Sequence, residues 1–384
     1  MSTHFEASAV VSGIGMSQVG RRLELDPWLL TTEAALEAIS DAGLTTDDID
    51  GISTYPGALW STPGITGAGC DDVRSMLGLR TKWHSGGGER PGQLGAVIDA
   101  MLAVHAGLAN HVLCFRTVWE STAQQYLGGR SAALNKAANG KILPFGRELD
   151  QWTAPYGIGY PNHGALRMQR YMTESGATRE QFAQLALVSR ANAALNPNAI
   201  HRDLMTVDDY LDSRMISDPL CLFDCDVPVD GSVAVIVSRA GTTDSSRAVS
   251  FQAIGSAAGV NESCSMMWSR TDLRPPDIDI AEIYDGFTIY AVEWIEALGL
   301  CAKYEAGALL EGGARISLNG EIPVSTNGGQ LSAGRLHGFG SFHEACLQLR
   351  GEAAERQVPR SPQIAAVTSG AEQFSSALLL GAPR

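Results

Sequence analysis

The chain has 384 residues, of which 45% are apolar and 18% charged, and its formal net charge is −14. This composition is typical of a globular enzyme with a large core, and the acidic balance argues against a general affinity for nucleic acid or anionic membranes, which bind clustered Lys and Arg. The N-terminus has no leader pattern and no window of about 18 apolar residues occurs, so we expect a cytoplasmic protein.

The first 116 residues show alternating strand and helix patterns. In chain order they predict a strand at 9–15, a helix at 29–44, a strand at 48–56, a Gly-rich loop at 85–93, a helix at 95–109 and a strand at 111–115. The loop precedes a helix, and the unpaired amide groups at a helix N-terminus favour negatively charged oxygen. This order is typical of a βαβ fold.

The segment from about residue 117 to residue 220 lacks this alternation and is richer in polar and aromatic residues. It contains a helical pattern at 179–197, and we interpret the segment as an inserted loop domain. An apolar strand at 231–240 and a polar turn follow. The predicted domains are therefore an N-terminal half at 1–245, which includes the insertion, and a C-terminal half at 246–384.

The second half repeats features of the first. Residues 277–284 read DIDIAEIY and echo DIDGISTY at residues 48–55. A second Gly-rich loop at 327–340 precedes a helix and then a strand at 364–370. We therefore predict a duplicated α/β fold in which both Gly-rich loops and the helix N-termini after them face one pocket.

Three segments resemble motifs of the thiolase superfamily, in its branch of sterol-carrier-protein-X-type thiolases and lipid-transfer-like proteins. EIYDGF at 282–287 is similar to the His-Asp-Cys-Phe motif, NGGQLSAGRLHG at 327–338 to the Gly-Gly stretch that ends in Gly-His-Pro, and residues 215–237 to the lead-in to a conserved strand. The resemblance covers nearly the whole chain. It implies an α/β thiolase fold, with two similar βαβ-based halves in a five-layered α-β-α-β-α arrangement.

The residues that do thiolase chemistry are replaced in this sequence. A thiolase attacks a thioester with a cysteine thiolate and moves protons with histidine and a second cysteine. The corresponding positions here hold Glu89, Arg90 and Pro91 in the first loop, Tyr284 for the motif histidine, Gly286 for its cysteine, and Arg335 for the Gly-His-Pro histidine. A covalent acyl-enzyme route therefore has no evident nucleophile.

This pattern of replacement resembles the aldolases that cleave side chains from steroid acyl-CoA compounds, in which tyrosine replaces the catalytic histidine. The resemblance implies cleavage of a β-hydroxyacyl-CoA to a ketone and a shorter acyl-CoA, in complex with a small OB-fold partner and around a homodimeric core. It also implies a second tyrosine near the position of Arg335, where this sequence differs. We expect no metal and no cofactor beyond the coenzyme A of the substrate.

Four residues are predicted to be catalytic. Tyr284 would exchange a proton with the β-hydroxyl, assisted by Asp285 or by a cationic neighbour such as Arg335 that lowers the tyrosine pKa from about 10. His337 would be an alternative base or a hydrogen-bond donor to the enolate. The residues predicted to bind substrate are Glu89, Arg90 and Gly329.

Structural roles and other functions remain open for these residues. Tyr284 would also suit a packed position with a satisfied hydroxyl, Arg335 a clamp for carbonyl groups or the partner subunit, and Glu89 and Arg90 a mutual surface ion pair. The competing functions are an acyltransferase or condensing enzyme with an unrecognised nucleophile, and a non-catalytic lipid-binding scaffold. The seven scattered cysteines predict reduced thiols.

Overall fold

The computed structural model describes residues 4–58, 64–127, 156–372 and 374–383. Its strands are β1 (Ala9–Met16), β2 (Gly51–Thr54), β3 (Trp83–Gly86), β4 (His111–Trp119), β5 (Met215–Ser217), β6 (Leu220–Cys221), β7 (Asp230–Arg239), β8 (Val249–Ala257), β9 (Ile280–Glu282), β10 (Ile364–Ala371) and β11 (Phe374–Gly381). Its α-helices are α1 (Pro27–Asp41), α2 (Cys70–Met76), α3 (Gly95–His105), α4 (Glu120–Leu127), α5 (Tyr160–Ser175), α6 (Arg179–Ala194), α7 (Val207–Leu211), α8 (Val260–Trp268), α9 (Thr288–Ala297), α10 (Ala306–Leu310) and α11 (Phe339–Arg350).

Nine of these strands form one sheet in the order β3-β2-β4-β7-β1-β8-β11-β10-β9. The contact between β1 and β8 is short, since it pairs Val10 with Ser250 and Val11 with Val249. The sheet therefore divides there into an N-terminal part, β3 to β1, and a C-terminal part, β8 to β9.

Apart from the edge strand β3, the two parts have the same topology. In the first, β2 is parallel to β4, β4 is antiparallel to β7, and β7 is antiparallel to β1. In the second, β9 is parallel to β10, β10 is antiparallel to β11, and β11 is antiparallel to β8. The helices correspond too, because α3 and α11 lead into β4 and β10. The duplication predicted from the repeated DID motifs is confirmed.

Alternating side chains on the strands fill cores on both faces of the sheet. On β7, Val233, Val235 and Val237 belong to a central core with α3 and α11, whereas Ala234 and Ile236 pack with α1 and α2. Strands of the second part share the central core on one face and contact α8 and α9 on the other. These contacts give the layers α-β-α-β-α, so the predicted five-layered arrangement is confirmed.

Some elements differ from the sequence prediction. Strand β4 continues to Trp119, beyond its predicted end at residue 115, because Arg116 and Thr117 are buried in the sheet although they are polar. Strands β3, β8 and β11 and helices α2, α8, α9 and α10 were not predicted. The predicted insertion holds α5, α6, α7 and the β5–β6 hairpin where it is described, and its residues 128–155 lie outside the described ranges. Within those ranges, no helix is both long enough and apolar enough to cross a membrane.

Candidate active site

The two Gly-rich loops meet at Ser369 on β10. The Gln93 amide donates a hydrogen bond to Ser369 Oγ at 3.0 Å, and Ser369 Oγ donates to Gln93 Oε1 at 2.7 Å. A Cβ at Gly92 would lie 2.7 Å from the Ser369 carbonyl oxygen, and a Cβ at Gly338 would lie 2.7 Å from Ser369 Oγ. The close approach of both loops to one serine brings the N-termini of α3 and α11 together, whereas the cleft beside them is lined by the second loop and not by the first.

Tyr284 lies just after β9 and packs against Gly286. Its backbone N–H donates to Thr368 Oγ1 at 2.8 Å, which fixes the end of β9 beside β10. A Cβ at position 286 would lie 3.0–3.2 Å from the Tyr284 ring and hydroxyl, closer than ordinary van der Waals contact. Tyrosine at 284 and glycine at 286 therefore fit as a pair.

The pKa of Tyr284 is raised, first because of burial and then because of the negative charge of Asp226, while Arg335 opposes the rise. The expectation that a cationic neighbour lowers this pKa is therefore corrected: the Arg335 charge is outweighed. The phenol is protonated at neutral pH. It can act as a hydrogen-bond donor, or it can relay a proton if a neighbouring base accepts its own.

Arg335 is held between two carboxylates. Its Nη1 donates to Asp226 Oδ1 at 2.8 Å and its Nη2 donates to Glu120 Oε2, and all three side chains are largely buried. The backbone N–H of Arg335 donates to the Val227 carbonyl at 2.8 Å. Glu120 Oε1 and Arg335 Nε have no hydrogen-bond partner among the described residues. The guanidinium thus joins the second Gly-rich loop to the start of α4 and to the lead-in of β7.

Asp285 shapes the turn in the second loop. Its Oδ1 accepts a hydrogen bond from the Gln330 amide at 2.8 Å, and its Oδ2 accepts one from the Leu331 amide at 3.4 Å. Gly329 has φ +57°, and a Cβ there would lie 2.0 Å from Asp285 Oδ2. Burial raises the pKa of Asp285 to about 7, against the effect of the two amide hydrogen bonds. Asp285 and Gly329 are therefore in direct contact, and glycine is required at 329.

His337 lines a cleft together with Asn196, Asn327 and Gly329. The residue is 8% exposed, and its φ of +48° lies in the left-handed region, which costs about 1–3 kcal/mol in a residue other than glycine. Its Nδ1 lies 3.1 Å from Nη2 of Arg116 on β4. The histidine is thus held by a contact with the N-terminal part of the sheet.

The first loop places its two charged residues apart. Glu89 is exposed, whereas the Arg90 guanidinium is turned inward, with Nη1 donating to the Thr54 carbonyl at 3.1 Å and Nη2 3.0 Å from Asp99 Oδ2. The suggested ion pair between Glu89 and Arg90 is wrong, because Arg90 pairs with Asp99 on α3. These contacts occupy the Arg90 side chain at the ends of β2 and β3.

Comparisons with known proteins cover the whole fold. Residues 241–380 match the family model described as "Thiolase C-terminal domain-like". A steroid side-chain-cleaving aldolase of Thermomonospora curvata is 31% identical, and the alignment covers 98% of each chain. The chain belongs to the thiolase superfamily. A second relative, the 17-hydroxy-3-oxo-4-pregnene-20-carboxyl-CoA lyase of Mycobacterium tuberculosis, is 29% identical over 97% of this chain and 99% of that protein.

A solved thiolase-fold structure, the Ltp2-ChsH2(DUF35) aldolase, superposes with a TM-score of 0.85 at 28% identity and covers 98% of both chains. These relatives confirm the predicted aldolase resemblance and the predicted lyase class. Among the described residues, His, Cys, Asp and Glu side chains form no cluster of three or more that could hold a metal ion.

The cysteines of this thiolase-superfamily chain are poor nucleophiles. Burial raises the pKa of every thiol in the sequence: Cys70, Cys114, Cys221, Cys225, Cys264, Cys301 and Cys346. Cys70 contacts the first loop, where its Sγ donates to the Ser85 carbonyl at 3.4 Å, and its pKa is raised to about 11. Because the thiolate is the reactive form, these thiols are unsuited to covalent thiolase chemistry.

Sequence reasoning missed four residues that surround the site. They are Tyr55, Arg116, Glu120 and Asp226. Two signals were available: Arg116 is a charged residue in an apolar strand pattern, and Tyr55 occupies the position in DIDGISTY that Tyr284 occupies in DIDIAEIY. In the structure the Arg116 guanidinium carbon lies 5.7 Å from the centre of the Tyr55 ring. No local pattern singled out Glu120 or Asp226.

Proposed function

We propose that the protein cleaves a bulky, steroid-derived β-hydroxyacyl-CoA by a retro-aldol reaction, giving a ketone and a shorter acyl-CoA. The observation that carries the proposal is the fitted pair of Tyr284 and Gly286 at the thiolase His and Cys positions. Its support in relatives is the steroid side-chain-cleaving aldolase and the CoA lyase, which match this chain over nearly its full length.

The reaction needs a base and an oxyanion donor but no covalent nucleophile. The β-hydroxyl loses its proton as the bond between the α- and β-carbons breaks, so that the β-carbon becomes the ketone carbonyl. The bonding electrons pass to the thioester enolate. A proton then adds to the α-carbon, which completes the shorter acyl-CoA without any other reactant.

In this proposal Tyr284 relays the proton. Since its raised pKa keeps the phenol protonated, Tyr284 takes the β-hydroxyl proton while passing its own to the Asp226 carboxylate. Arg335 binds Asp226 and Glu120 and so fixes the acceptor. Asp285 contributes by holding the turn at Gly329, because both of its oxygens accept backbone amides.

The proposal includes a small OB-fold partner and a homodimeric core. The partner is supported by the similar Ltp2-ChsH2(DUF35) aldolase, whose name joins two components. The dimer is supported by the position of β3 at the sheet edge, because an unpaired strand edge invites pairing with another chain. Light scattering of the purified complex would give its mass, and a complex with a single copy of this chain would contradict the dimer.

The function is tested by co-expressing the chain with a candidate OB-fold partner protein and supplying a steroid β-hydroxyacyl-CoA. Mass spectrometry should detect the ketone and the shorter acyl-CoA in equal amounts. An acyl adduct on the protein would favour the acyltransferase alternative. Tight binding of the acyl-CoA without any product would favour the scaffold alternative.

A further inference from the structure

Arg116 is a buried cation in the middle of the molecule, anchored by backbone groups. It is 1% exposed on β4. Its Nη1 donates to the carbonyl oxygens of Tyr55 at 3.3 Å, of Thr117 at 3.0 Å and of Ile65. Although burial lowers the pKa of Arg116 to about 10, the guanidinium stays charged at neutral pH. Its orientation is therefore fixed independently of any substrate.

The other terminal nitrogen of Arg116, Nη2, lies 3.1 Å from Nδ1 of His337. A guanidinium offers only N–H donors, so in this hydrogen bond Nδ1 must be the acceptor. A neutral imidazole whose Nδ1 accepts a hydrogen bond carries its proton on Nε2. The tautomer of His337 thus follows from the identity of residue 116.

We propose that Arg116 is a positioning residue that holds His337 as the Nε2–H tautomer, so that His337 donates a hydrogen bond to the enolate oxygen and does not act as the base. This inference rests on the proposed retro-aldol function and assigns one role of that site. It selects between the two roles that the sequence left open for His337. Because Arg116 occupies the lone pair on Nδ1 of His337, the imidazole can only donate, through Nε2–H. The base then lies on the Tyr284 side of the site.

The tautomer can be measured directly by nitrogen NMR of the protein labelled with ¹⁵N-histidine. The chain has eight histidines, and the signals missing from the His337→Gln variant belong to His337. We expect Nδ1 to have the shift of an unprotonated ring nitrogen and Nε2 that of an N–H. Arg116→Lys, which keeps a charged donor, should preserve this pattern, and Arg116→Met should give mixed tautomers. A wild-type Nδ1–H signal overturns the proposal.

The role of His337 is tested by comparing His337→Gln with His337→Ala, each checked for its melting temperature. The glutamine amide can donate a hydrogen bond but cannot serve as a base. We expect kcat of His337→Gln to stay within about tenfold of wild type, and kcat of His337→Ala to fall by about 10²–10³-fold, as for loss of an oxyanion donor. Equal losses in both variants would identify a base and overturn the proposal.

The two measurements separate this inference from the proposed function. The NMR pattern needs no turnover, so wild-type protein without activity on the steroid substrate would refute the function and leave the Arg116–His337 tautomer intact. Should Arg116→Met fail to fold, the wild-type spectrum and the His337 pair still decide the inference.

Discussion

The two Gly-rich loops occupy equivalent places in a duplicated fold, yet they carry different residues. Both precede a central helix, α3 or α11, and both contact Ser369. In the first loop, Arg90 is bound to Asp99 and Glu89 is exposed. In the second, Arg335 binds Glu120 on α4 and His337 contacts Arg116 on β4. Duplication has kept the scaffold of both loops, while the candidate chemistry lies on the second.

The N-terminal half still contributes to the site, through the end of β4 and the start of α4 rather than through its loop. Arg116 binds His337, and Glu120 binds Arg335. The loss of the cysteine from the first loop is thus compatible with a complete polar site. Substitutions in each half should separate these contributions.

The largest effect is expected from Tyr284→Phe. Loss of the hydroxyl removes the proposed proton relay and should lower kcat by about 10³-fold with little change in melting temperature. The control is Tyr304→Phe, whose hydroxyl donates to Glu174 away from the site, and it should keep wild-type activity. Steady-state kinetics of both variants checks this. A near-normal kcat for Tyr284→Phe would show that the candidate site in the C-terminal half does not carry out the reaction.

Gly329→Ala should destabilise the protein by about 3 kcal/mol, about 1 for the positive φ and about 2 for the clash with Asp285. Gly312 has a similar φ of +65° with nothing near its Cβ position, so Gly312→Ala should cost only the first part. Gly87→Ala, in the first loop, also meets open space and should be nearly neutral. Urea unfolding measures all three, and equal losses for Gly329→Ala and Gly312→Ala would show that the Asp285 contact is unimportant.

Arg90→Met should lower the free energy of unfolding by about 2 kcal/mol, less than for a fully buried pair because Asp99 is 35% exposed. Glu89→Gln, next to it and exposed, should change it by less than about 0.5 kcal/mol. We expect KM for the acyl-CoA to change little in Arg90→Met. Normal stability with a KM raised about tenfold would instead favour the substrate-binding role that the sequence suggested.

The smallest effect is expected from Glu282→Gln, which should change how stability depends on pH. The pKa of Glu282 is raised by burial and then by Glu344, whereas the equivalent residue in the first repeat is Ser53. Above the unfolded pKa of 4.5, the Glu282 carboxyl keeps its proton in the folded state and loses it in the unfolded state. The free energy of unfolding therefore falls as the pH rises from 4.5 through the folded pKa. Glu282→Gln should reduce the loss of stability between about pH 5 and pH 8 by on the order of 1 kcal/mol. Thermal unfolding at both pH values checks this, and an unchanged loss would contradict it.

The fold was largely readable from the sequence because its signals are local. Alternating apolar strands, Gly-rich turns and the repeated DID motif each occupy a few consecutive residues. Candidate catalytic residues were predicted only where a motif marked them, beside Tyr284 and in the loop that holds Arg335 and His337. The partners of these residues are distant: Glu120 lies 215 positions from Arg335, and Arg116 lies 221 positions from His337. Only the folded chain brings such residues together.

Polar residues on buried strands were the other source of error. The predicted strand ended before Arg116 and Thr117, because polar side chains are usually exposed. In the structure both side chains make hydrogen bonds within the core, although Arg116 Nε has no partner among the described residues. Arg116, which led the sequence prediction to end β4 too early, is also the residue that binds His337.

The most direct test of cleavage without a covalent intermediate is a single-turnover experiment on the complex of this chain with the proposed OB-fold partner. Samples quenched during the reaction with a steroid β-hydroxyacyl-CoA would be measured by mass spectrometry for both products and protein. We predict that ketone and shorter acyl-CoA appear together while the mass of the chain stays unchanged. A transient increase in protein mass equal to that of an acyl group would contradict the account and indicate a covalent thiolase mechanism.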